Sequence, residues 1–214
     1  VDKLIGDAIV AFWGAPKPNE HHARDAIQGA LRCHEELQKL NERWEAEGLP
    51  RLPTRFGVST GEVMVGNVGA VNRLSYTALG DAVNLASRLE GANKFYGTRI
   101  IAAANSVRDA GDQFLWRKLD KVRVLGRSEP ELIYELLGER GQVPELRLEH
   151  ARLYEAAFDA YLARDFTGAT DRLSTLLLQN LGDSSAQRLS RLCEDATRNP
   201  PPTNWNGVSD FLEK

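Results

Sequence analysis

The sequence predicts an α/β or α+β unit over residues 1 to about 138, followed by an all-α extension. Three observations carry this expectation. Strand-like and helix-like stretches alternate up to Leu137. A Gly/Pro-bearing segment from Gly138 to Pro144 then interrupts the pattern. Beyond it, apolar residues recur at three- and four-residue steps, the spacing of amphipathic helices. The expected division is therefore 1–138, a linker at 139–145, and a helical extension at 146–214.

The elements follow in order. Two short apolar runs between Val1 and Gly14 are broken by Gly6-Asp7, a hairpin signature. From His22 to Trp44 the residues Ala26, Ile27, Ala30, Leu31, His34 and Leu37 keep a helical period, and Gly48 and Pro50 end it. Two strand-like stretches flank Thr60-Gly61, and Ser75 to Leu79 reads as another strand. A helix opens at Gly80-Asp81, with Asp81 as the expected N-cap. Arg99 to Ala102 reads as a strand and Ala104 to Ala110 as a short helix. Phe114 to Leu119, Lys121 to Leu125 and Glu131 to Leu137 read as three strands.

After the break, helices are expected at Leu146 to Arg164, Phe166 to Leu178 and Ser184 to Thr197. The middle of this region resembles a tetratricopeptide helix pair. It holds only about one and a half repeats, too few for a free solenoid, so it is expected to pack on the first unit. The proline-rich tail carries one large anchor, Trp205.

Composition limits the function classes. The formal net charge of the 214 residues is −3, so no global basic field favours nucleic acid or an anionic membrane. An anionic substrate must be held by a few local charges or a metal. The two cysteines, Cys33 and Cys193, lie far apart without CxxC spacing, which points away from disulfides and zinc and toward a reducing compartment. No run of about 18 apolar residues could span a bilayer. Val1 already lies in a strand-like stretch, so the sequence reads as one cut within a domain.

Two features bear chemistry. Asp7 puts a carboxylate on a tight turn, where a hard oxygen suits a divalent cation, although an Asp there is also ordinary turn chemistry. Asn84 and Arg88 stand one helical turn apart and share a face. An amide beside a guanidinium suits an oxygen-rich anion, and a solvated helix face is the plainer explanation.

Taken in order, KLIGDAIVAFWGAP, GVSTGEVMVGNVG and SYTALGDAVNLASRLEG resemble the class III nucleotidyl cyclase catalytic domain. The likeness covers residues 1 to about 137. It implies an α+β fold derived from the ferredoxin-like arrangement, with a mixed sheet and flanking helices. It implies an adenylate cyclase that converts ATP to 3′,5′-cyclic AMP and pyrophosphate with two metals, Mg²⁺ or Mn²⁺. Asp7 matches a metal ligand, Lys3 the residue that reads adenine, and Thr77 its partner. Asn84 matches the residue that orients the ribose, and Arg88 the one that stabilises the transition state at the α-phosphate. In this family the active sites are shared between the two protomers of a homodimer. Lys3 can donate to adenine N1 and Thr77 can accept from N6, whereas guanylate cyclases carry Glu and Cys or a similar residue there.

The sequence departs from the family pattern twice. The family's other metal aspartate lies on a preceding strand, in a Phe-x-Asp-Ile-like motif that does not occur here. The 214 residues are therefore expected to lack the N-terminal strand of the fold, to belong to a larger chain, and to make no cyclic AMP alone. At residues 122 to 130, VRVLGRSEP replaces the usual V-x-V-K-G-K, with Leu125 at the triphosphate-binding lysine. Arg123 or Arg127 is the candidate substitute. The Pro-Pro-x-x-Trp-x-Gly-Val tail resembles bacterial cyclases with extracytoplasmic sensor domains. That likeness implies a cytoplasmic catalytic part on a membrane-anchored parent, with no membrane contact from this segment. Alternatives are a catalytically inactive cyclase-like regulatory module and, disfavoured by Lys3 and Thr77, a guanylate cyclase.

Overall fold

The computed structural model describes residues 1–70, 72–124 and 129–211. Strands β1 (Lys3–Ile5) and β2 (Ala8–Val10) form the expected hairpin, turning at Gly6-Asp7. Helix α1 (His22–Ala46) buries Ile27, Ala30 and Leu31 of the expected stripe and Ala23 beside them, while Ala26, His34 and Leu37 are half-buried. Then come β3 (Phe56–Val58), β4 (Met64–Ala70), β5 (Arg73–Leu79) and α2 (Asp81–Tyr96). They are followed by β6 (Ile100–Ala103), α3 (Ala104–Ala110), β7 (Phe114–Val124) and β8 (Glu131–Glu139). Helices α4 (Glu145–Leu162), α5 (Phe166–Gln179) and α6 (Ser184–Arg198) precede a last strand, β9 (Ser209–Phe211).

The main sheet has the order β3-β6-β8-β7-β9. β3 pairs parallel with β6 and β9 parallel with β7, while the two pairings of β8 are antiparallel. The sheet is mixed and its helices flank it, giving an α+β architecture. Among the described residues, β1–β2 and β4–β5 stand as separate two-stranded ribbons.

Helix α2 sits where it does because Gly57 lets it. A Cβ on Gly57 would overlap the Ala86 carbonyl and the Glu90 amide, so only glycine admits helix backbone this close to β3. Asn93 Nδ2 then donates to the Phe56 carbonyl at 2.9 Å. The helix ends at Gly97, whose φ of +70° is the left-handed conformation common after a last turn. That cap also packs on the next layer, since a Cβ there would lie 2.7 Å from Ser184.

Helices α5 and α6 each begin at an aspartate that accepts from the first turn: Asp165 from Gly168 N at 2.9 Å, Asp183 from Ala186 N at 3.0 Å. The three helices do not form a core of their own. Tyr154, Phe158, Leu173 and Leu189 share one buried cluster with Leu85, Tyr96, Ile101, Leu119 and Ile133. Each such side chain contributes about 1.5–3 kcal/mol on burial, so the extension packs on the sheet as expected.

Three expectations need correction. The extension is not all-α, because β9 adds a fifth strand to the sheet. Three residues are too few to display a period, and their partner lies far away in sequence. The separate strands expected at 114–119 and 121–125 form one strand through Val124, with an irregular register between Lys118 and Asp120. Asp120 looked like a break because it is charged. It is in fact buried, accepting from Tyr96 Oη at 2.6 Å and Ser209 Oγ at 2.9 Å, and pairing with Arg188 at 3.2 Å. Finally, Asp81 is the first helical residue rather than the cap, and Gly80 occupies the cap position. Trp205 does anchor the tail, with its ring 5.0 Å from that of Tyr161 and 5.8 Å from that of Phe166.

Candidate active site

Lys3 and Thr77 are brought together by a residue that motif reasoning passed over. Asp2 Oδ2 accepts the Thr77 hydroxyl at 2.7 Å and lies 3.5 Å from Lys3 Nζ. Thr77 is 4% exposed and the Asp2 side chain 3%, while the lysine side chain remains 40% exposed. The carboxylate is thus closed off from water and the ammonium is not. The same open end of the β1–β2 hairpin meets β5 a second time, where the Phe12 and Tyr76 rings lie 6.3 Å apart. Asp2 precedes the first paired residue of β1, and its backbone N–H bonds the Val10 carbonyl at 2.8 Å. In sequence an Asp beside a Lys reads as a solvated pair. The only available signal was its adjacency to Lys3.

Strand β5 runs into α2 through the single residue Gly80, so Thr77 lies a short stretch of chain before Asn84 and Arg88. Both are exposed, one turn apart on the helix. With Asn84 and Arg88 outward, Val83, Ala86 and Leu89 are apolar residues that could face the core. The observed face is Ala82, Leu85, Leu89, Ala92 and Tyr96, with Val83 and Ala86 half-buried. This rotation of the face still leaves Asn84 and Arg88 outward.

Asp7 occupies the hairpin turn and is exposed. It does not join the Lys3–Asp2–Thr77 contact, being separated by the length of β1, roughly 10 Å at about 3.3 Å per residue. Among the described residues no group of three His, Cys, Asp or Glu side chains gathers to hold a metal. Asp7 is a hard oxygen ligand of the right kind, but one carboxylate is too few for a Mg²⁺ or Mn²⁺ site.

Arg123 is engaged elsewhere. Its guanidinium pairs with Asp210 of β9 at 3.0 Å, across the register that sets Arg123 opposite Asp210. Leu125 and Arg127 lie outside the described residues.

The chain has known relatives. Residues 3–138 match the model of the adenylate and guanylate cyclase catalytic domain. The chain belongs to that family. It is 46% identical over 133 residues to adenylate cyclase 1 of Rhizobium meliloti (strain 1021), a match that spans 62% of this chain and 20% of that protein. Among solved structures it resembles the adenylyl cyclase CyaB from P. aeruginosa, with a TM-score of 0.59 and 30% identity over 67% of this chain and 74% of that one. It resembles the guanylyl cyclase Cya2 about as well, with a TM-score of 0.60 and 29% identity over 66% of this chain and 71% of that one. The chain thus spans a fifth of the curated relative's length. No helix among the described residues is long and apolar enough to cross a membrane.

Proposed function

We propose that this chain is the catalytic unit of an adenylate cyclase, forming 3′,5′-cyclic AMP and pyrophosphate from ATP. The observation that carries the reading is the Lys3–Asp2–Thr77 contact, which juxtaposes the two side chains suited to an adenine edge. An ammonium donates to N1, and a hydroxyl oxygen accepts from the 6-amino group. Adenylate cyclases among the relatives support the choice of base.

In this reading the ribose 3′-hydroxyl oxygen attacks the α-phosphorus and its proton passes to solvent, the bond from the α-phosphorus to the bridging β-phosphate oxygen breaks, and pyrophosphate leaves. Asn84 orients the ribose. Arg88 neutralises charge on the α-phosphate oxygens, which gain negative charge in the transition state. Mg²⁺ or Mn²⁺, two ions in the family's scheme, would supply Lewis acidity, with Asp7 as a ligand. The described residues of one copy do not complete such a site.

The proposed assembly is a homodimer with composite sites. Its support is the apolar surface of the two ribbons, where Met64 is 73%, Leu4 70% and Ile9 68% exposed. Residues 1–138 would form the catalytic domain and 146–214, after the linker at 139–145, its extension. The catalytic part would face the cytoplasm of a membrane-anchored parent.

Guanylate cyclase is the second reading, kept by the similarity to Cya2. Turnover of ATP and GTP by the full-length protein decides between them. ATP should be preferred by at least about tenfold in kcat/KM, and Lys3→Glu with Thr77→Cys should weaken the preference. Equal turnover of both nucleotides by the unmutated protein would overturn the adenylate assignment.

A further inference from the structure

We propose that Asp2 is a positioning residue for base selection, acting by fixing the direction of the Thr77 hydrogen bond. The proposal rests on the assignment of Lys3 and Thr77 as the base-reading pair.

A threonine hydroxyl has one proton and two lone pairs, and its proton rotates to suit the neighbour. Left to itself it could donate to a 6-oxo group or accept from a 6-amino group. By itself, then, Thr77 would distinguish guanine from adenine poorly. A carboxylate removes the choice, because it only accepts. At 2.7 Å from Asp2 Oδ2, the Thr77 proton is committed to the carboxylate, and hydrogen bonds to charged acceptors are the stronger kind. Only lone pairs remain for a base. They match a 6-amino group and repel a 6-oxo oxygen.

The same carboxylate oxygen lies 3.5 Å from Lys3 Nζ. An ammonium has three donors, so those not turned to Asp2 stay available to a ring nitrogen acceptor. Adenine N1 is such an acceptor, whereas guanine N1 carries a hydrogen. One buried carboxylate therefore imposes an acceptor at Thr77 and keeps a donor at Lys3. This is the complement of the adenine edge and the reverse of the guanine edge. Burial matters to the device. With the Asp2 side chain 3% exposed, water cannot easily take its place and release the hydroxyl.

The test is a double-mutant cycle in the full-length protein: unmutated, Asp2→Asn, Thr77→Val, and both together. Affinities for ATP and GTP analogues that cannot be cleaved at the α-phosphate are measured by calorimetry, independently of turnover. Asparagine keeps the shape of Asp2, but its amide can donate to Thr77 and free the hydroxyl proton. Asp2→Asn should lower the ATP-to-GTP affinity ratio about tenfold, partly by tighter GTP binding. In the Thr77→Val background the same change should move the ratio less than about twofold. Where both proteins are active, KM should follow the affinities, with kcat for ATP moving much less. Asp2→Ala, with melting temperatures for every variant, guards against a fold defect.

Equal losses for both nucleotides, with the ratio unchanged, overturn the proposal and leave Asp2 as a residue that merely holds the hairpin. A ratio that shifts as much without the Thr77 hydroxyl as with it also overturns it. If the unmutated protein binds both nucleotides equally, the base-reading assignment itself fails and the proposal falls with it. If it discriminates in binding but makes no cyclic nucleotide, only the enzymatic reading fails.

Discussion

Arg117 Nη1 lies 2.5 Å from Asp183 Oδ2, and both side chains are buried. The pair ties strand β7 to the turn before α6, and so ties the sheet to the helical extension. Burial alone would lower the Arg117 pKa. The Glu135 and Asp183 carboxylates outweigh burial and hold the guanidinium charged well above its ordinary range. The guanidinium also stacks over the Tyr154 ring at 4.7 Å, and Ser185 Oγ donates to the Tyr96 carbonyl at 2.7 Å beside it. Polar and apolar contacts thus join the two parts as one packed body.

Removing one partner from a buried charge pair costs more than the pair is worth, because the other charge stays behind. Asp183→Ala should therefore destabilise the protein by about 3 kcal/mol or more in urea unfolding. Part of that loss is the α6 cap. Asp183→Asn keeps a capping oxygen and should recover roughly 1 kcal/mol of it. Equal stability of the alanine variant and the unmutated protein would show that the extension is not fastened here.

What the sequence revealed, and what it hid, follows from the range of the interactions. The Gly6-Asp7 hairpin, α1, α2 and α3 were legible because their residues carry a local period or a turn signal. Asn84 and Arg88 were legible as a shared face for the same reason. Asp120 misled because burial of a charge depends on partners far along the chain, here Arg188 and Ser209. β9 was hidden because its three residues find their partner 87 positions earlier, at Val122 to Val124. Asp2 was hidden in a different way. Its significance lies in which acceptor Thr77 meets, and that contact crosses two ribbons.

Several titrating groups sit in the interface between sheet and extension, and all are shifted upward. Burial pushes the Cys193 thiol up to about 11, from 9.0, with Glu194 adding to it. Burial first, then Asp120, pushes Tyr161 up to about 12, from 10.0. Tyr96 and Tyr154 move the same way, chiefly through burial. A group whose folded pKa is raised stabilises the fold below its unfolded value and loses that contribution as pH climbs through the folded value. Stability from these groups should be level up to about pH 9 and fall from there through about pH 11 to 12. Urea midpoints across that range measure it. Cys193→Ala should show a shallower fall between pH 9 and 11, whatever its stability at pH 7. At pH 8, iodoacetamide should label exposed Cys33 in the native protein and spare Cys193 until it unfolds.

The shared-site reading makes a sharper demand on Asp7 and Arg88. In that scheme each active site takes its metal ligand from one protomer and its arginine from the other. Asp7→Ala and Arg88→Ala homodimers of the full-length protein should each be nearly inactive, since every site carries one lesion. When the two variants are mixed and allowed to exchange subunits, about half the dimers are mixed pairs. In each of these, one site collects both lesions and the other has none. Activity should therefore rise to about a quarter of the unmutated level, measured as cyclic AMP formed at matched protein concentration. A site built within one protomer cannot give this result, because no mixed pair would then contain an undamaged site. Subunit exchange must be followed separately, by mass tags on the two variants. If exchange is complete and mixing restores nothing, the composite site is wrong, and Asp7 and Arg88 act within a single chain.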